Sequence, residues 1–133
     1  MKKKDPTHDK GFTLIELLIV VSLIGIIVTV AAVQYKQAIQ KAKEAVLKED
    51  LYILRDCIDQ YYADKGKYPD SLDTLVEEKY IRMVPKDPIT NSMDTWQVEY
   101  AEASDDLMTE PGIIDVKSGA EGMGLDGVPY AEW

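Results

Sequence analysis

Residues Phe12–Val33 form a stretch of 22 in which 17 side chains are apolar and one, Glu16, is a carboxylate. This commits a large share of a 133-residue chain to hydrocarbon or to other apolar helices. At about 1.5 Å per residue, a helix of that length crosses the roughly 30 Å core of a bilayer. Three readings compete for it. A secretory signal peptide would use the small residues Val30-Ala31-Ala32 for cleavage, but its apolar region would run only about 7–15 residues. A plain single-pass anchor accounts for the length, yet not for Glu16. A carboxylate costs about 2.5–3.5 kcal/mol at the bilayer centre, less near an interface, and such groups usually have a charged partner. The third reading supplies that partner and rests on the residues just before the run.

Charge is unevenly placed. The formal net charge is -9, yet residues 1–11 carry four lysines (Lys2, Lys3, Lys4, Lys10) against Asp5 and Asp9. A short basic segment directly before an apolar helix orients it with the lysines on the cytoplasmic side. The remaining chain is strongly acidic and repels phosphate backbones, so nucleic acid is not an expected partner. His8 is the only histidine and lies in that basic segment; Cys57 is the only cysteine. An intrachain disulfide is therefore impossible, and Cys57, beside Leu54 and Ile58, reads as a small buried hydrophobe. Without a histidine base, a phosphate loop or a nucleophile elbow, the sequence does not read as an enzyme.

Helical character continues past the apolar run, since no Pro or Gly occurs between Ile26 and Ala63. Leu47, Leu51, Leu54, Ile58 and Tyr61 recur at helical spacing and predict one buried stripe. Glu44, four residues before Lys48, predicts a surface ion pair. The expected helix runs from Phe12 to about Tyr62 and stops at Lys65-Gly66-Lys67-Tyr68-Pro69. Beyond it, Asp70 or Ser71 can cap a short helix carrying Leu72, Leu75 and Val76. Tyr80–Pro88 reads as an extended connection. Trp96, Val98 and Tyr100 alternate as a half-buried strand, and residues 112–116 form a second. Residues 104–111 make a turn region, and Ser118–Gly127, with four glycines, makes a loop. Pro129, Tyr130 and Trp133 are expected to pin the last residues to the sheet.

Gly11-Phe12-Thr13-Leu14-Ile15-Glu16 resembles the cleavage signature of type IV pilins and type II secretion pseudopilins. Gly66-x-Tyr68-Pro69, Leu72 and Leu75, Tyr80-Ile81, and Pro85-x-Asp87-Pro88 followed by the glycine-rich acidic loop are similar to the major pseudopilin. The resemblance implies an α+β fold: a long N-terminal helix, its apolar half membrane-embedded, on a small antiparallel sheet head domain with a C-terminal glycine-rich loop. It implies a leader, 1–11, cut after Gly11 by a prepilin peptidase, leaving Phe12 as a methylated amino terminus. Residues 12–33 would be the transmembrane and filament-core helix, and 34–133 the periplasmic head with the amphipathic half of the helix. Glu16 would neutralise the terminal amine of a neighbouring subunit. Implied partners are other copies of the chain, minor pseudopilins, an inner-membrane assembly platform and, before assembly, lipid. The implied function is a filament that drives export of folded proteins across the outer membrane; the alternative is a type IV pilin for adhesion, motility or DNA uptake. Calcium is the implied cofactor, on Glu121 and Asp126.

The sequence departs from the family in three places. No helix-breaking proline stands near Val33. Ile89, Thr90 and Asn91 occupy the positions where tryptophan and glycine often follow the Asp-Pro pair. Asp126 is followed by Gly127 instead of a second aspartate.

Overall fold

A computed structural model describes residues 11–102 and 111–133. Residues 1–10 of the basic leader and most of the expected turn region at 104–111 lie outside the described residues. Helix α1 spans Leu14–Lys65, three residues beyond the expected end. Its stop is a glycine at positive φ, Gly66 at 70°, whose N–H donates to the Tyr62 carbonyl at 2.8 Å. The chain divides into two compact units at Ala38/Ile39.

In the first unit, the apolar part of α1 is long and apolar enough to cross a membrane, and none of it is buried in the protein. Its two hydroxyls inside the helix are satisfied locally. Ser22 donates to the Leu18 carbonyl at 2.7 Å, and Thr29 to the Gly25 carbonyl at 2.8 Å. Back-bonding of this kind removes the cost of a free hydroxyl in hydrocarbon. Glu16 has no such recourse, because a carboxylate only accepts.

The second unit is a small core built on the remaining turns of α1. Leu47, Leu51, Leu54, Ile58 and Tyr61 are all buried, as the helical spacing predicts, and Cys57 is buried with them. Burial, and then the charge of Asp56, pushes the Cys57 thiol up, which keeps it unreactive. Helix α2, Leu72–Glu77, is capped by Ser71, whose hydroxyl accepts from the Thr74 N–H. Leu75 from α2 enters the core. Among the described residues the sheet has two antiparallel strands, β1 (Gln97–Tyr100) and β2 (Ile113–Lys117). The register shifts between Glu99 and Tyr100. Trp96, just before the strand, is buried and Val98 is half-buried, as the expected alternation requires, but beyond the irregularity Tyr100 is exposed.

Two buried polar groups hold the loops around β2. Asp87 is fully buried and accepts from the N–H groups of Ile89 (2.8 Å) and Thr90 (3.4 Å) and from the hydroxyl of buried Ser118. Three donors offset much of the cost of burying its charge. On α1, burial, then the charges of Asp87 and Glu49, hold the Asp50 carboxyl above its ordinary range. A carboxyl with a raised folded value favours folding most in acid, and this contribution is lost as pH rises through that value. Asp50→Asn should therefore raise the melting temperature at pH 7, and the gain should fade as pH falls toward 3.8, the ordinary carboxyl value. Melting curves of both proteins across that range check the prediction; an unchanged midpoint at pH 7 refutes it.

Candidate functional site

The residues expected to carry function fall at two places, one in each unit. At the start of α1, Gly11, Phe12 and Thr13 precede the first helical turn, and Phe12 is 91% exposed. Thr13 occupies the cap. Its hydroxyl accepts the Glu16 N–H at 3.3 Å, and its carbonyl accepts the Leu17 N–H at 3.2 Å. Thr13-x-x-Glu16 thus has the spacing of a capping box, with an acid in the first turn where the helix dipole favours it. This local role for Glu16 is additional to the intermolecular one implied by the resemblance. Among the described residues, nothing lies within 4 Å of where a Cβ on Gly11 would stand.

The second place is the glycine-rich loop and the short 3-10 helix η1, Tyr130–Glu132, after it. Glu121 and Asp126 are both exposed. The Oδ1 atom of Asp126 accepts the Val128 N–H at 3.0 Å. The loop folds back on itself through Gly124 N–H to Val128 O (2.9 Å) and Gly127 N–H to Gly124 O (3.0 Å). Gly122 and Gly127 have φ of 102° and 80°, which suits glycine alone without strain. Gly124 is required for a different reason: a Cβ there would lie 2.5 Å from Cζ2 of Trp133. Among the described residues, no group of three or more His, Cys, Asp or Glu side chains is gathered for a metal.

Two residues of α1 organise this region, and sequence reasoning placed neither there. Glu44 is 7% exposed and turns inward, away from the surface pairing with Lys48 that helical spacing suggested. Its Oε1 atom accepts from Gln40 Nε2 (3.0 Å), the Tyr130 hydroxyl (2.9 Å) and the Leu125 N–H (3.0 Å). Burial, aided by the bond to Glu44 and opposed by the one from Gln40, pushes the Tyr130 phenol up, so it remains a donor at neutral pH. Lys48 instead sits over the Trp133 ring, 4.5 Å from its centroid. Arg55 reaches β2 and the loop end: its Nε donates to Asp115 at 2.7 Å, and one Nη donates to the carbonyls of Val116 and Trp133 at 2.9 and 2.8 Å. A polar residue within an apolar helical stripe was the available signal for both. That signal does not say which distant donor or acceptor is met.

Comparison with known proteins agrees with this geometry. Residues 6–32 match the prokaryotic N-terminal methylation motif. The type II secretion system core protein G of Klebsiella pneumoniae is 28% identical over 92% of this chain and 89% of its own length. That of Vibrio cholerae serotype O1 is 29% identical, covering 87% and 88%. A type IV major pilin, PilE1 of Neisseria gonorrhoeae, is 37% identical over only 49% of this chain and 39% of its own. No solved structure is matched. With the methylation motif opening its apolar helix and core G proteins matched along almost all of its length, the chain is similar to type II secretion pseudopilins and, over about its first half, to a type IV pilin.

Proposed function

We propose that this chain is the major structural subunit of a type II secretion pseudopilus and acts by polymerising, without catalysis. The observation that carries the reading is a membrane-length helix with no cover in its own molecule and one carboxylate in its first turn. Such a helix is stable only in lipid or against other apolar helices. In this reading residues 1–11 are removed behind Gly11 by a prepilin peptidase. Residues 12–33 then anchor the chain in the inner membrane, with 34–133 on the periplasmic side. A membrane platform draws subunits into a filament in which helices 12–33 pack on one another and Glu16 meets the amine of a neighbour's Phe12. The growing filament, with minor pseudopilins, would push folded proteins outward. Similarity to core protein G over most of the chain, against partial similarity to PilE1, favours this over a type IV pilin. Genes for a secretin and exoproteins beside this one would agree; a retraction ATPase gene would favour the pilin.

The test is mass spectrometry of the amino terminus of the membrane-bound protein. The expected product begins at Phe12 and carries one added methyl group. A membrane form that retains residues 1–11, or a soluble form beginning near Val33, overturns the reading.

A further inference from the structure

The resemblance implies a calcium ion in the glycine-rich loop, and the residues there do not fit one. Calcium takes about 6–8 oxygens turned toward a common centre. Here four oxygens of the loop region accept from its own N–H groups: the carbonyls of Gly122, Gly124 and Val128 accept from Tyr130, Gly127 and Gly124, and Asp126 Oδ1 accepts from Val128. At its tip the loop turns an amide inward, the Leu125 N–H, toward Glu44. An inward amide is the arrangement for a negative charge, not for a cation. The cavity beside it, about 400 Å³, is lined by Lys41 and Lys48 as well as by Glu44 and Asp126. That lining already balances two acidic residues with two basic ones.

We infer that the Glu44 carboxylate, and no metal ion, clamps the glycine-rich loop onto α1. Three donors converge on its Oε1 from separate parts of the chain: Gln40 one turn earlier on the helix, Tyr130 in η1, and the Leu125 amide at the loop tip. Charge-assisted bonds of this kind are about twice as strong as neutral ones, and the buried carboxylate depends on them for its solvation. The clamp joins residues 81 positions apart, which ties the loop tip to α1. Glu44 is a positioning residue, and the inference holds whether or not the chain polymerises.

The test uses the full chain in detergent micelles. Thermal unfolding is followed with chelator and with millimolar calcium chloride, and exchange of the Leu125 amide proton is followed by NMR. The midpoint should be the same in both solutions. Glu44→Gln keeps the shape but weakens the acceptor, and should speed Leu125 exchange at least about tenfold. Tyr130→Phe removes one donor without touching the amide and should speed it less. A midpoint that calcium raises and chelator lowers overturns the metal-free clamp. A Leu125 amide in Glu44→Gln that stays as protected as in the wild type overturns the role of Glu44.

Discussion

Gly119→Ala should unfold much of the second unit. Gly119 follows β2 and lies between Ser118 and Ala120, which are 0% and 5% exposed. An added Cβ would sit 1.8 Å from the Thr95 carbonyl oxygen and 2.9 Å from its carbon. The obstacle is backbone, which cannot swing aside as a flexible side chain could. Relief requires moving the segment that carries Trp96, whose indole N–H donates to the Pro85 carbonyl at 2.8 Å, or moving Ser118 off Asp87. Either shift breaks a buried polar contact. Overpacking alone costs about 1–3 kcal/mol, and a lost buried hydrogen bond adds about 1–3 kcal/mol. A total near 3–5 kcal/mol would lower the melting temperature of a unit this size by roughly 15–30 °C. Gly127→Ala is the control. Its Cβ meets nothing within 4 Å, so only the positive φ of 80° penalises it, at about 1 kcal/mol. Circular-dichroism melts of the two variants should differ widely. Equal midpoints would show that the close approach of Gly119 to Thr95 is not a constraint.

Gly119 also marks the limit of what periodicity can reveal. The stripe from Leu47 to Tyr61 is legible because a helix repeats its face every 3.6 residues, and each member of that stripe is buried. The stop at Gly66 and the Ser71 cap are legible because each depends on local chemistry. What fails is a set of polar and edge features fixed by partners far along the chain. Glu44 and Lys48 have the spacing of a surface pair, but Tyr130 and the Leu125 amide draw Glu44 inward, while Trp133 takes Lys48. Asp87 and Ser118 are polar and fully buried, against the ordinary preference of both residue types for solvent. The Asp-Pro pair reads as part of an extended connection, which says nothing of a serine 31 positions on. Tyr100 is exposed because the register shifts just before it, which alternation along one strand cannot foresee. At the start of α1 the situation is reversed: Gly11, Phe12 and Glu16 are legible from a local signature, and the role proposed for them lies in contacts between molecules.

Replacing Glu16 should separate insertion from assembly. Between Phe12 and Val33 it is the only ionisable side chain, and Ser22 and Thr29 show how the other polar groups are satisfied within the helix. Its local benefit is bounded. An acid in the first helical turn gains about 0.3–1 kcal/mol from the dipole, against a cost in hydrocarbon that rises with depth to about 2.5–3.5 kcal/mol at the bilayer centre. The shortfall disfavours an acid here unless a cation arrives from elsewhere, and a free amine at Phe12 of another subunit is such a cation. Breaking a buried pair by removing one partner costs about 3–5 kcal/mol, because the other charge is left alone. Assembled filament should therefore fall at least about a hundredfold in Glu16→Ala. Membrane insertion should be unimpaired, since the costly charge is gone. Glu16→Gln decides between the two roles of the side chain. Glutamine suits the third position of a capping box as well as glutamate does, but it carries no charge. If capping were the whole purpose, this variant would polymerise like the wild type, and the intermolecular pair would have to be rejected. If the charge is what matters, it should fail as Ala does. Cross-linking of membranes, together with recovery of sheared filaments, measures both steps in the same cells.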